Sequence, residues 1–255
     1  MKRLALAACA AALVVAGCGT SQPDQPVAAG TTLMTRQDFV RRTSDAWVKK
    51  KTAHLKLQIG YKFNGLSAEG DMVNGATAKD SAFDAHYKTP GLSYEVLAVD
   101  AMIYLNYGAM TKHKFVAVDP TDTGNFLSKQ FAPVVESLDP ATAIKALKGS
   151  ILEFERSGKT KSLDGVKTTA YRIKISTTAL KKTALGKTAP EGSIPDTITY
   201  LYYVGPDDVP RRVTYTVQGV DASINYTDVG KPVTIVAPEK SDQIDQSVLN
   251  GLRGT

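Results

Sequence analysis

Few residues in this chain could do chemistry, and one is set apart by its surroundings. Val15-Ala16-Gly17-Cys18 places a thiol behind an aliphatic residue and two small ones. Lys2 and Arg3 come first, and positions 4–16 form a run of 13 residues without a charge. That run fits the core of a signal peptide and falls short of the ~20 apolar residues that a transmembrane helix needs. Cys9 lies inside the run and would be removed with it. Cys18 would then be the one remaining thiol, so no disulfide framework can form and the fold must be held by packing.

Other reactive patterns fall away. The chain has no G-x-S-x-G nucleophile elbow and no H-E-x-x-H zinc motif. Gly158-Lys159-Thr160 and Gly186-Lys187-Thr188 echo the end of a phosphate-binding loop. The glycine required five residues earlier is absent, because those positions hold Glu153 and Lys181. His54, His86 and His113 are far apart in or beside strands, whereas a metal needs clustered ligands. Asp207-Asp208 reads as solvated charge in a turn rather than a calcium ligand set. Glu153 and Glu155 share a strand face and oppose no evident acid partner. The expectation is a protein that is not an enzyme and holds no cofactor or metal.

Val15-Ala16-Gly17-Cys18 resembles the lipobox of bacterial lipoproteins. The resemblance implies that the Cys18 thiol receives a diacylglycerol and that the chain is cut just before it. Residues 1–17 are then a lipoprotein signal peptide. The protein would be lipid-anchored at the extracytoplasmic face of the cell membrane, in the cell envelope. Cleavage leaves 238 residues with 29 basic and 25 acidic side chains, a mild +4. The charges are interspersed, and Lys49-Lys50-Lys51 is the longest basic run. No nucleic-acid footprint is present, though weak attraction to anionic headgroups is reasonable.

The elements that must position a site follow in order. Residues 18–33 hold Ser, Gln, Pro and Gly without periodicity, as in a flexible tether. Thr35 with Asp38 three residues on is a helix start, and Phe39, Val40, Thr43 and Trp47 give the helix one apolar stripe to about Lys51. From His54 the period becomes two. Leu55, Leu57, Ile59, Tyr61 and Phe63 alternate with polar residues, as in a sheet covered on one face. Asn64-Gly65 predicts a hairpin, followed by strands over 66–73, 79–88, 94–98, 102–107 and 114–118. Residues 123–149 read as mostly helical, with Asp139-Pro140 as a second helix start. Further strands follow over 151–157, 166–175, 197–204, 211–218 and 221–227, with turns at Gly158, Asp164-Gly165, Gly205-Pro206 and Gly219. A short helix is expected between Ser176 and Gly186, then a polar loop to Pro195. A tail from Pro238, residues 239–255 at most, is expected to fray.

The simplest architecture is α+β: one strongly curved antiparallel sheet, a half-barrel, with helices covering its concave face. The inward residues would be Leu57, Ile59 and Tyr61 on the first strand, with Phe83 and Tyr87 on the third. Tyr171 and Ile173 follow, then Tyr200 and Tyr202, then Val213, Tyr215 and Val217, and last Ile224 and Tyr226. They line either a cavity or a filled core, because alternation is the same for both.

Three stretches carry a family resemblance: Asp164-Gly165-Val166-Lys167-Thr168-Thr169-Ala170-Tyr171, Asp208-Val209-Pro210-Arg211-Arg212, and Tyr226-Thr227-Asp228-Val229-Gly230-Lys231-Pro232-Val233. In this order and spacing, over roughly residues 34–238, the chain resembles the LolA-like carriers. It is more similar still to the LppX/LprG-like lipoproteins of mycobacteria and their relatives. The resemblance implies a monomer whose hydrophobic cavity takes the acyl chains of a lipid, glycolipid or lipoprotein, for transport or transfer. The alternative it leaves open is an envelope sensor on the same fold, which binds and regulates a membrane protein.

Overall fold

The computed structural model describes residues 33–60, 65–75, 77, 79–122, 124–129, 147, 149–178 and 194–249. The Asn64 half of the first hairpin, the Asp139-Pro140 helix start, the body of the helix expected after Ser176 and the leader lie outside these residues.

The first helix, α1 (Arg36–Lys50), starts and stops where its end residues dictate. Thr35 and Asp38 form a reciprocal capping box, in which the Asp38 carboxylate accepts from the Thr35 N–H at 2.7 Å. Lys51 ends the helix with φ 64°, and its N–H donates to the Trp47 carbonyl at 2.9 Å. Phe39, Val40, Thr43, Ser44, Ala46 and Trp47 are buried. Thr43 needs an internal partner there, and its hydroxyl donates to the Phe39 carbonyl at 2.6 Å.

A first meander follows: β1 (Thr52–Gly60), β2 (Leu66–Val73), β3 (Ala82–Thr89), β4 (Leu92–Val99), β5 (Met102–Asn106) and β6 (Phe115–Val118). The second is β7 (Ile151–Leu163), β8 (Val166–Ser176), β9 (Thr197–Val204), β10 (Pro210–Val217) and β11 (Val220–Thr227). Antiparallel pairing of β1 with β11 merges them into one curved, unclosed sheet. With β12 (Gln243–Ile244) at one edge, its strand order is β12-β6-β5-β4-β3-β2-β1-β11-β10-β9-β8-β7. The turns carry the chemistry expected of them. Asp164 and Gly165, at φ 51° and 72°, adopt the left-handed pair that a tight two-residue hairpin requires.

Three expectations need correction. Gly158 is not a turn: β7 runs on to Leu163, and the glycine sits at the register shift between Arg156 and Thr160, as a bulge. The third strand begins at Ala82 rather than 79, because Thr77 and Asp80 close a turn in front of it. The tail does not fray over residues 239–249. Gln243–Ile244 forms β12 in parallel with β6, and Leu249 is buried in the main core. Ile235 and Ala237 lie on the outer face, against a small cluster of Ala82, Leu97, Val99 and Tyr104.

Asp207 and Asp208 are also corrected, because they are not solvated loop charge. Arg42 on α1 clasps Asp208 from two nitrogens, at 2.9 and 2.5 Å. Asp207 meets Lys50 at 3.2 Å and Arg211 at 2.9 Å. The turn before β10 thereby ties the helix to the sheet. Burial pushes the Asp207 carboxyl up, but Arg211 and Lys50 outweigh it and hold the group below its ordinary value.

Two outcomes follow. A folded-state value below the unfolded one means stability that is present above the carboxylate's ordinary value of 3.8 and lost as pH falls through the depressed one. Asp207→Asn should therefore flatten the acid limb of a Tm-against-pH curve; an unchanged limb would remove the pair from the account. At Gly70 on β2, a Cβ would sit 1.9 Å from the Asp84 carbonyl oxygen and 2.5 Å from Ala85 Cα. Gly70→Ala should cost about 1–3 kcal/mol, lowering Tm by several degrees in a thermal melt.

Candidate functional site

Alternation along each strand, combined with the observed register, decides which side chains share a face. One cross-strand row shows the result. Leu57 pairs with Ile224, Ile224 with Val213, Val213 with Tyr202, and Tyr202 with Tyr171. In the other direction Leu57 pairs with Ala68, Ala68 with Tyr87, and Tyr87 with Tyr94. The row crosses eight strands, β8 to β4, without a charged side chain. A neighbouring row carries Ile173 and Tyr200 at one end, and Ala222, Ile59 and Leu66 further along.

The structure brings the sequence-derived candidates together on this face. Leu57, Phe83, Tyr87, Tyr171, Ile173, Tyr200, Tyr202, Val213, Ile224 and Tyr226 are buried in one cluster, and Ile59, Tyr215 and Val217 pack against it half-buried. Tyr61 lies outside the described residues. Helix α1 packs on this face through its two large aromatic side chains. The Phe39 ring meets Tyr202 edge-on at 5.1 Å and Phe154 at 5.6 Å, and Trp47 meets Tyr226 at 4.9 Å. Aromatic pairs of this kind contribute about 0.5–1.5 kcal/mol each beyond the area they bury.

Tyrosine gives this apolar face its few polar points. The Tyr171 hydroxyl accepts from the Met34 N–H at 3.2 Å, anchoring the residues that lead into α1. The Tyr200 side chain is fully buried, and its hydroxyl has no hydrogen-bond partner. Burial pushes Tyr200, Tyr202 and Tyr226 far above the ordinary phenol value and Tyr215 up to about 12. These phenols stay protonated, so the face offers hydroxyl donors and no charge. It can bind apolar matter with an occasional hydrogen bond.

Sequence reasoning missed features on the opposite face. The three histidines, distant in sequence, line one open polar groove of about 830 Å³. His54 is held there by Asp71 at 2.8 Å and Glu69 at 3.4 Å. Glu153 is met across the strand pair by Lys174 at 2.7 Å, a base rather than an acid partner. Strand pairing creates these neighbours, and periodicity carries no trace of which strand lies next to which.

No family model matches the sequence, and no curated protein is similar to it. Solved structures do match. LprF from Mycobacterium bovis superimposes with a TM-score of 0.54 at 14% identity, covering 79% of this chain and 96% of that one. The lipoprotein LppX of Mycobacterium tuberculosis gives 0.52 at 14% identity, covering 79% of this chain and all of that one (100%). The continuous apolar face, the two meanders joined through β1 and β11, and the helix laid across them therefore make this chain one with the fold of the mycobacterial LppX and LprF lipoproteins.

Proposed function

We propose that this protein is a lipid-anchored, non-enzymatic carrier that holds the acyl chains of a lipid, glycolipid or lipoprotein against the apolar face of its sheet. The observation that carries this reading is the uncharged row from Tyr171 to Tyr94, an apolar face continuous across eight strands. In this reading α1 lies over the concave side of a half-barrel, and acyl chains lie between helix and sheet. Burying one methylene contributes ~0.8 kcal/mol, so a long chain gains on the order of 10 kcal/mol before ordering costs are subtracted. The similarity to LppX and LprF supports the fold, and the LppX/LprG-like motifs of the sequence support the ligand class. Cys18 carries the anchor, and residues 18–33 give the domain reach from the extracytoplasmic face of the cell membrane.

The Tyr200 hydroxyl gives the reading a specific handle. A donor buried without a partner destabilises the free protein by about 1–3 kcal/mol. An ester or amide carbonyl at the head of an acyl chain would satisfy it.

The test is organic extraction and mass spectrometry of purified Cys18→Ala protein, which removes the anchor lipid from the signal. Co-purified acyl lipid is the expected result. An extract without lipid, together with no uptake from labelled vesicles, would overturn the reading. Recovery of a membrane protein in place of lipid would favour the sensor instead. Tyr200→Phe should raise the Tm of lipid-free protein and weaken lipid retention; a rise in Tm with retention unchanged would take Tyr200 out of the ligand's path.

A further inference from the structure

The outer face of the sheet carries a cluster that neither packing nor acyl binding explains. Asp84 and His86 are two residues apart on β3 and so point the same way. Glu95 on β4 is the register partner of His86. Ligand-capable atoms of Asp84, His86 and Glu95 lie within 4.8 Å of one another. All three side chains line the polar groove that also holds His54 and His113.

A second observation concerns Asp84 alone. Its Oδ1 is buried and has no hydrogen-bond partner. The register sets apolar neighbours beside it: Asp84 pairs with Leu97, and Leu97 with Tyr104, both in the outer apolar cluster packed with Ile235 and Ala237. Burial pushes the Asp84 carboxyl up, and burial together with the nearby Asp84 pushes Glu95 up as well. Cations of the neighbouring strand are committed elsewhere: Lys56 to Glu69 at 2.8 Å, and His54 to Asp71 and Glu69. Two carboxylates and an imidazole are pressed together with a buried oxygen that lacks a donor.

We propose that Asp84, His86 and Glu95 bind a first-row divalent cation, Zn2+ by the chemistry of the set. One imidazole and two carboxylates supply three protein ligands, and the remaining position opens on the groove, the pattern of a zinc site that keeps an exchangeable ligand. A nitrogen ligand disfavours Mg2+ and Ca2+, which take oxygen. Zinc bonds of 2.0–2.2 Å place ligand atoms roughly 3.3 Å apart. His86 is exposed and can rotate into that arrangement, and Asp84 and Glu95 are partly buried beside it. The proposal stands on the outer face and does not depend on what the inner face binds.

Isothermal titration of the untagged full-length chain with ZnCl2 tests it, with MgCl2 as comparison. The expected result is one saturable Zn2+ site, little response to Mg2+, and a Tm raised by about 5–10 °C at 100 times Kd. Asp84→Asn and His86→Ala should each weaken that site at least tenfold, while Glu69→Gln leaves it within twofold. Asp84→Asn removes an unpartnered buried charge, so it should fold at least as stably as the parent without metal, and a melt checks this. Absence of saturable Zn2+ binding would overturn the proposal. So would equal binding in the parent and both variants, which would assign the metal to the thiols or to His54.

Discussion

The pairing of β1 with β11 is the constraint on which the rest of this structure depends. It runs from His54 opposite Thr227 to Gly60 opposite Asp221, joining chain segments more than 160 residues apart. Without it there would be two meanders, each ending in a strand edge that invites association with other chains. With it they form one sheet whose apolar face is continuous. The junction is reinforced where it starts. The Thr52 hydroxyl donates to the Lys231 carbonyl at 2.7 Å, and the Gly230 N–H donates to the Thr52 carbonyl at 2.8 Å. Contacts this distant in sequence come at the expense of loop entropy and form slowly. The local hairpins on either side therefore have to be good enough to present matching edges. Helix α1 inherits its position from the same event. It leads directly into β1 and reaches β11 through Trp47 and Tyr226, while Arg42 and Lys50 reach the turn before β10.

The two faces of this sheet have been given different work by the period of two. Inward positions are aliphatic or tyrosine, and the phenols there are protonated at any physiological pH because burial disfavours the phenolate. Outward positions on β1 to β4 include His54, Lys56, Glu69, Asp71, Asp84, His86 and Glu95. On that outer side most charges find a partner across the next strand, as Lys56 does with Glu69. Asp84 differs: its Oδ1 is buried without a partner, on a strand position whose register neighbours are Leu97 and, beyond it, Tyr104. A surface carboxylate would be indifferent to a missing partner, since water would serve; a buried one is not.

How much of this was legible in the sequence depends on whether a feature is local. Thr35 and Asp38 announced the start of α1, and Asp164-Gly165 and Gly219 marked breaks between strands, because capping and turns are settled by neighbours a few residues apart. The inward set was legible too, since alternation alone selects it: of its fourteen members only Tyr61 lies outside the described residues, and the other thirteen share a face. Gly158 was misread because a glycine in a strand signals a turn or a bulge equally, and the choice is made by pairing across β8. The tail was misread for a related reason. Its few apolar residues look too sparse to pack, and Ile244 finds its partner Val116 on β6, more than 115 residues away. The histidines make the same point most directly. His54 and His86 stand on different strands with β2 between them, so their common groove is a product of strand order, which no pattern within either strand contains.

Register therefore carries more of the function than any single residue does. Side chains alternate with a period of two, so a slip of one residue between β2 and β3 would turn Phe83, Ala85 and Tyr87 outward and bring Asp84 and His86 into the interior. The apolar row and the outer cluster would be lost together. Gly70 guards that boundary, since its lack of a side chain lets β2 lie against the Asp84–Ala85 backbone at a distance no other residue allows. The glycine brings no side chain of its own to either face. Its place in the row between Leu55 and Ala85 nevertheless holds an uncharged face on one side of the sheet and a cluster of carboxylates and imidazole on the other.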